Sequence, residues 1–124
     1  MSGAGAFSWN SELPSGHSPY WIQDEGLAAF GLHRGDAVSV DTRAEPRSGD
    51  LVVVEADLGD ESRRMARRYT LEDDRVRLDP LGGDEPPLEL PAESVIVMGV
   101  IRGRLRLQEG GAGAIEEPLP PPCG

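Results

Sequence analysis

Eleven prolines and sixteen glycines are spread along 124 residues, and they limit helix length. Proline inside a helix removes a hydrogen bond and clashes with the preceding turn, and glycine there costs backbone entropy. Short strands joined by turns tolerate both. Apolar residues make up 38% of the chain, enough for one modest core in one domain. The runs fit this reading. Ala37-Val38-Ser39-Val40 and Leu51-Val52-Val53-Val54 each follow a turn, and the second is an unbroken apolar run expected to be buried on both faces. Residues 62–70 read as an arginine-rich strand, and Arg75-Val76-Arg77-Leu78 alternates as a half-buried strand should. Residues 95–107 form the longest candidate strand, with a bend or bulge expected at Gly99 and Gly103. Residues 20–23 also read as a strand, and only Leu27-Ala28-Ala29-Phe30 hints at a helical turn. The expectation is an all-β domain over residues 20–108. An irregular arm, residues 1–19, precedes it, and a Gly/Pro-rich tail, residues 109–124, follows as a segment expected to be disordered.

Charge excludes further classes. The chain carries 22 acidic residues against 12 basic ones, a net charge of −10. Such a chain is repelled by nucleic-acid phosphate, so direct nucleic-acid binding is not expected. Every basic residue is an arginine, which removes any lysine base or Schiff base from the available chemistry. Cys123 is the only cysteine, so no internal disulfide can form. No run of about 18 apolar residues and no signal-peptide pattern is visible, which predicts a cytoplasmic protein without membrane contact. His17 and His33 are too isolated for a metal site, and Asp24, Glu25, Asp36, Asp41 and Asp50 read as turn residues. No cofactor is expected.

Two turns share one pattern: Gly35-Asp36-Ala37-Val38-Ser39-Val40 and Gly49-Asp50-Leu51-Val52-Val53-Val54, fourteen residues apart. Glycine permits the turn, aspartate bonds back to its backbone, and a strand departs. With the arginine-rich strand, Arg75-Val76-Arg77-Leu78-Asp79-Pro80 and Val97-Met98-Gly99-Val100-Ile101, this order resembles the C-terminal domain of LexA, UmuD and phage repressors. The resemblance covers residues 20–107. It implies a LexA-like, β-clip type fold of short, curved strands.

In that family a serine, followed by methionine, attacks a peptide bond in the protein's own N-terminal arm, and a lysine removes the serine's proton. The resemblance places Gly26 at the serine, Leu27 at the methionine and Arg67 at the lysine. Glycine has no nucleophile, and arginine stays protonated. The resemblance therefore implies a pseudo-peptidase. It also implies a homo- or heterodimer, with itself or with a LexA-type repressor, in a stress response or phage-type repression. Val97, Val100, Arg102, Arg104 and Leu105 on the last long strand are the expected partner contacts. Arg67, if buried, needs a carboxylate from Asp24 or Glu25. Arg63, Arg64, Arg67 and Arg68 are otherwise read as a solvated face paired with Glu61, Glu72, Asp73 and Asp74. Two other readings stand beside this one. Ser18, with His17 or His33 as base, is a displaced nucleophile, although neighbours on an extended segment face opposite ways. Ala4-Gly5 matches the bond cut in LexA. Alternatively, the chain is a small acidic inhibitor of a nucleic-acid-binding protein.

Overall fold

A computed structural model describes residues 16–107 and 114–119. Its strands are β1 (His17–Trp21), β2 (Ala37–Asp41), β3 (Leu51–Asp57), β4 (Ser62–Glu72), β5 (Arg75–Asp79), β6 (Leu88–Pro91), β7 (Val95–Leu107) and β8 (Ala114–Glu117). The only helical pieces among the described residues are two 3₁₀ turns, Ala28–Phe30 and Ala92–Ser94. Among the described residues, no helix is long and apolar enough to cross a membrane. All pairings are antiparallel, in the order β1-β2-β7-β3-β4-β5-β6, with β8 added to β7.

The two Gly-Asp turns form as their residues dictate. Gly35 and Gly49 hold φ of 96° and 100°, a region that a Cβ disfavours. Asp36 Oδ2 accepts from His33 N at 2.8 Å, and Asp50 Oδ2 accepts from Arg47 N at 2.8 Å. Each turn launches a buried strand.

β3 divides the core. Val53 joins Ile22, Leu27, Leu32, Val38, Val40, Ala66 and Ile101 on one face. Val52, Val54 and Ala56 join Met65, Tyr69, Val76, Leu78 and Val100 on the other. Val52, Val53 and Val54 are at most 2% exposed, and each contributes roughly 1.5–3 kcal/mol by burial. The residues 22–32 cover the first cluster. The second is closed by β5 and β6, whose Val76, Leu78, Leu88 and Leu90 curl over it.

β7 serves both halves through two bulges. Its register slips opposite Val53 and Val54, where Met98 is the extra residue, and opposite Ser39 and Val40, where Arg102 is. Each slip sits beside a glycine. A Cβ on Gly99 would overlap Val40 Cγ1 and lie 2.8 Å from the Asp41 carbonyl oxygen. A Cβ on Gly103 would strike the carbonyl oxygen of Glu117. These glycines let the neighbouring backbones approach.

The structure differs from expectation at both ends. β1 starts at His17, inside the segment read as an arm, because its backbone pairs with β2 over five residues. β8 and Leu119 fall within the tail expected to be disordered. Backbone pairing to residues 104–107 of β7 and packing of Leu119 on the first cluster order this piece. β6 carried no clear strand signal and forms by pairing with β5. Ala4-Gly5 and Cys123 lie outside the described residues. Gly99→Ala is expected to lower stability by about 1–3 kcal/mol, the usual cost of overpacking. Urea unfolding checks this as a lower midpoint at unchanged slope.

Candidate functional site

After β1 the chain bends at residues 24–27. Asp24 Oδ1 accepts from Gly26 N at 2.9 Å, an aspartate turn that brings Gly26 inward. The loop after β5 lies over this bend. Leu81 N donates to the Gly26 carbonyl at 2.6 Å, and Ala29 N donates to that of Leu81 at 2.7 Å. Gly82 and Gly83 permit the close fit: a Cβ on Gly82 would lie 2.8 Å from Ala28 Cβ, and one on Gly83 3.0 Å from Glu25 Cβ.

Arg67 enters from β4. Its side chain is 2% exposed. Nη1 and Nη2 donate to Asp24 Oδ1 and Oδ2, each at 3.0 Å, a bidentate pair. Nη1 also donates to the Ala66 carbonyl at 2.8 Å. Arg63 Nη2 lies 3.5 Å from Asp24 Oδ2 and 3.3 Å from Glu85 Oε1, and Arg67 Nη2 lies 3.7 Å from the same Glu85 oxygen. Two cations and two anions thus balance in one small volume. Burial by itself would raise the Asp24 carboxyl. Hydrogen bonds from Arg67 and from Gly26 N, with the charges of Arg67 and Arg63, outweigh it and hold the group below its ordinary value.

The guanidinium occupies the space beside Gly26. A Cβ on Gly26 would overlap Arg67 Nη1 and lie 2.8 Å from Cζ. The two positions that the resemblance assigns to serine and lysine therefore face one another in contact. The peptidase S24-like family profile matches residues 4–102, most of the chain. The chain belongs to the peptidase S24-like family. A search of curated proteins returned no match. The S24-like fold, all-β and antiparallel, is the LexA-type C-terminal domain expected from the two Gly-Asp turns.

In this S24-like domain the other readings find different partners. Ser18 is exposed on β1. The His17 ring turns away to Ser39 Oγ at 3.0 Å and Glu116 Oε1 at 2.9 Å. His33 Nδ1 lies 2.6 Å from Glu25 Oε1, and Glu25 Oε2 accepts from Arg34 N at 3.0 Å. These bonds hold the Glu25 carboxyl low and commit it away from Arg67. Asp24 is the carboxylate chosen from the two that the sequence offered.

Two expectations need correction. Arg63, Arg64 and Arg67 pair with Asp24, Glu85 and Glu55 rather than with Glu61, Glu72, Asp73 and Asp74, and Arg67 is buried while Arg68 stays exposed. Antiparallel register sets Glu55 directly opposite Arg64, while the sequence neighbours sit at strand ends. Among the expected partner contacts, Val100 and Leu105 are 2% and 6% exposed and belong to the interior, because the bulges in β7 shift the alternation of its faces. Val97 is half-buried against the second cluster. Arg102 and Arg104 stay at the surface, 3.6 Å from Asp41 and 3.9 Å from Asp36. Among the described side chains of β7, the exposed large apolar ones are Ile96 and Met98. Glu85 had no sequence signal, since it lies in a loop whose path depends on the bend it covers.

Arg67→Ala is expected to cost about 3 kcal/mol, the lower end for breaking a buried pair, because Asp24 keeps Arg63. Chemical denaturation measures it. Acid adds a second check. A carboxyl held low in the fold contributes its full stability above the ordinary carboxylate range of about 4. It loses that contribution as pH falls through the depressed value. The stability advantage of wild type over Asp24→Asn should therefore shrink on acidification below about pH 4. A pH-independent difference would count against the assignment.

Proposed function

We propose that this chain is a non-catalytic member of its family, a LexA-like domain that works by binding another protein in transcriptional regulation. The observation that carries this reading is the Arg67 guanidinium filling the space beside Gly26. No nucleophile stands at Gly26, and the group facing it stays protonated at any working pH. Asp24 and Arg67 form a structural ion pair at these positions. The net charge of −10 supports a protein partner over direct contact with nucleic acid. The fitting partner is a second LexA-type domain, in the same chain type or in a repressor.

The test has two arms. Purified full-length chain, incubated from neutral to alkaline pH, should stay intact by mass spectrometry. Gly26→Ser alone should also stay intact, because its new side chain meets a protonated guanidinium instead of a base. A clean self-cleavage of the wild type that Ser18→Ala abolishes would overturn the non-catalytic reading. Affinity capture from the host should recover a LexA-type repressor. Recovery of RNA polymerase or a nuclease in its place would sink the partner assignment and favour the acidic-inhibitor reading.

A further inference from the structure

The family match ends at residue 102, and a strand beyond it adds Glu116 to a polar site built by His17, Ser39, Asp41 and Arg102. Ser39 is fully buried on β2. Its hydroxyl donates to Glu116 Oε1 at 2.5 Å, and His17 Nδ1 lies 2.9 Å from the same oxygen. On the other side of the ring, His17 Nε2 lies 3.8 Å from Asp41 Oδ2, which Arg102 Nε approaches to 3.6 Å. Glu116 comes from β8, the short strand on the edge of β7. Its backbone pairs Leu105 with Glu116 and Arg104 with Glu117. Gly103 lets the Glu117 carbonyl come close, and Leu119 packs on the first core cluster.

These features describe a receptor and its occupant. The receptor is the β7 edge from Gly103 to Leu107, with Ser39 and His17 beside it. Without β8 that edge would present unpaired N–H and C=O groups. The Ser39 hydroxyl would lose its carboxylate acceptor and keep only the His17 ring, 3.0 Å away. The occupant is an extended strand with a carboxylate placed for Ser39 and His17 and a leucine three residues on. Strand addition of this kind draws affinity from main-chain bonds and selectivity from one or two side chains.

We propose that this edge is a strand-acceptor site selective for a carboxylate, filled in cis by residues 114–119 and in trans by the same segment of a second copy. Residues 108–113 span at most about 20 Å when extended, enough for the strand to pass to a copy whose β7 edge lies alongside. A tethered strand competes at an effective concentration in the millimolar range, so exchange occurs where copies are crowded together or the cis strand is weakened. The site uses none of the residues that carry the non-catalytic reading and stands independently of it.

The probe is a fluorescent peptide, Ala-Ile-Glu-Glu-Pro-Leu, titrated into full-length protein. Glu116→Gln weakens the cis strand and leaves the acceptor intact, with folding checked by circular dichroism. This variant should bind the peptide about tenfold more tightly than wild type does. It should prefer the peptide about tenfold over a version with glutamine in place of the first glutamate, the scale of a charge-assisted hydrogen bond. Ser39→Ala and His17→Ala together, added to Glu116→Gln, should abolish that preference, because both side chains that meet the carboxylate are then gone. At millimolar concentration, native mass spectrometry should find wild-type dimers that the peptide dissolves. Binding of neither peptide, equal binding of both, or a preference that survives the loss of both Ser39 and His17 would overturn the acceptor site. Dimers absent, or indifferent to the peptide, would overturn the exchange between copies.

Discussion

A strand apolar on both faces can sit only between two apolar layers, and β3 imposes this on the whole domain. Val53 looks one way, while Val52 and Val54 look the other. A flat single sheet would leave one of these faces wet. The chain avoids this by covering the first face with the bend after β1 and curling β5 and β6 over the second. The bend that covers the first face is also the segment that carries Gly26. The strand beside β3 is β4, and Arg67 sits on it opposite Val52. That places Arg67 with Val52 rather than with Val53, and its long side chain is what reaches the bend, pairing with Asp24 beside Gly26.

At that meeting point a buried cation must be matched. Arg67 is nearly inaccessible, and an unpaired guanidinium there would be strongly unfavourable. Asp24 supplies a bidentate partner, and its aspartate turn positions Gly26 in the same stroke. Glu85 and Arg63 complete a neutral set at the rim. The glycine and the arginine are spatially coupled, since any side chain at residue 26 competes with the guanidinium for room.

Much of this was legible in the residues. The Gly-Asp turns could be read because glycine and aspartate encode a turn locally. The double burial of β3 followed from an unbroken run of Leu51 and three valines, and the bulges of β7 from its glycines. Arg67 was expected to seek Asp24 or Glu25, and the choice fell to Asp24 because His33 and Arg34 hold Glu25. The β8 strand was not legible. Ala-Ile-Glu-Glu-Pro-Leu lies between glycine-rich and proline-rich sequence and looks like tail. Its backbone pairs with β7, Leu119 packs on the first cluster, and Glu116 bonds to Ser39 and His17, which lie 77 and 99 residues away in the chain.

The sequence alone determined the all-β class, the turn positions, the strand that divides the core and the absence of lysine chemistry. Each of these is set by neighbouring residues, through backbone preference, side-chain alternation or composition. The tertiary structure alone decided which carboxylate meets Arg67, which faces of β7 reach solvent and where Glu116 anchors. Those choices depend on register and on chain segments far apart in sequence, and no local preference specifies them.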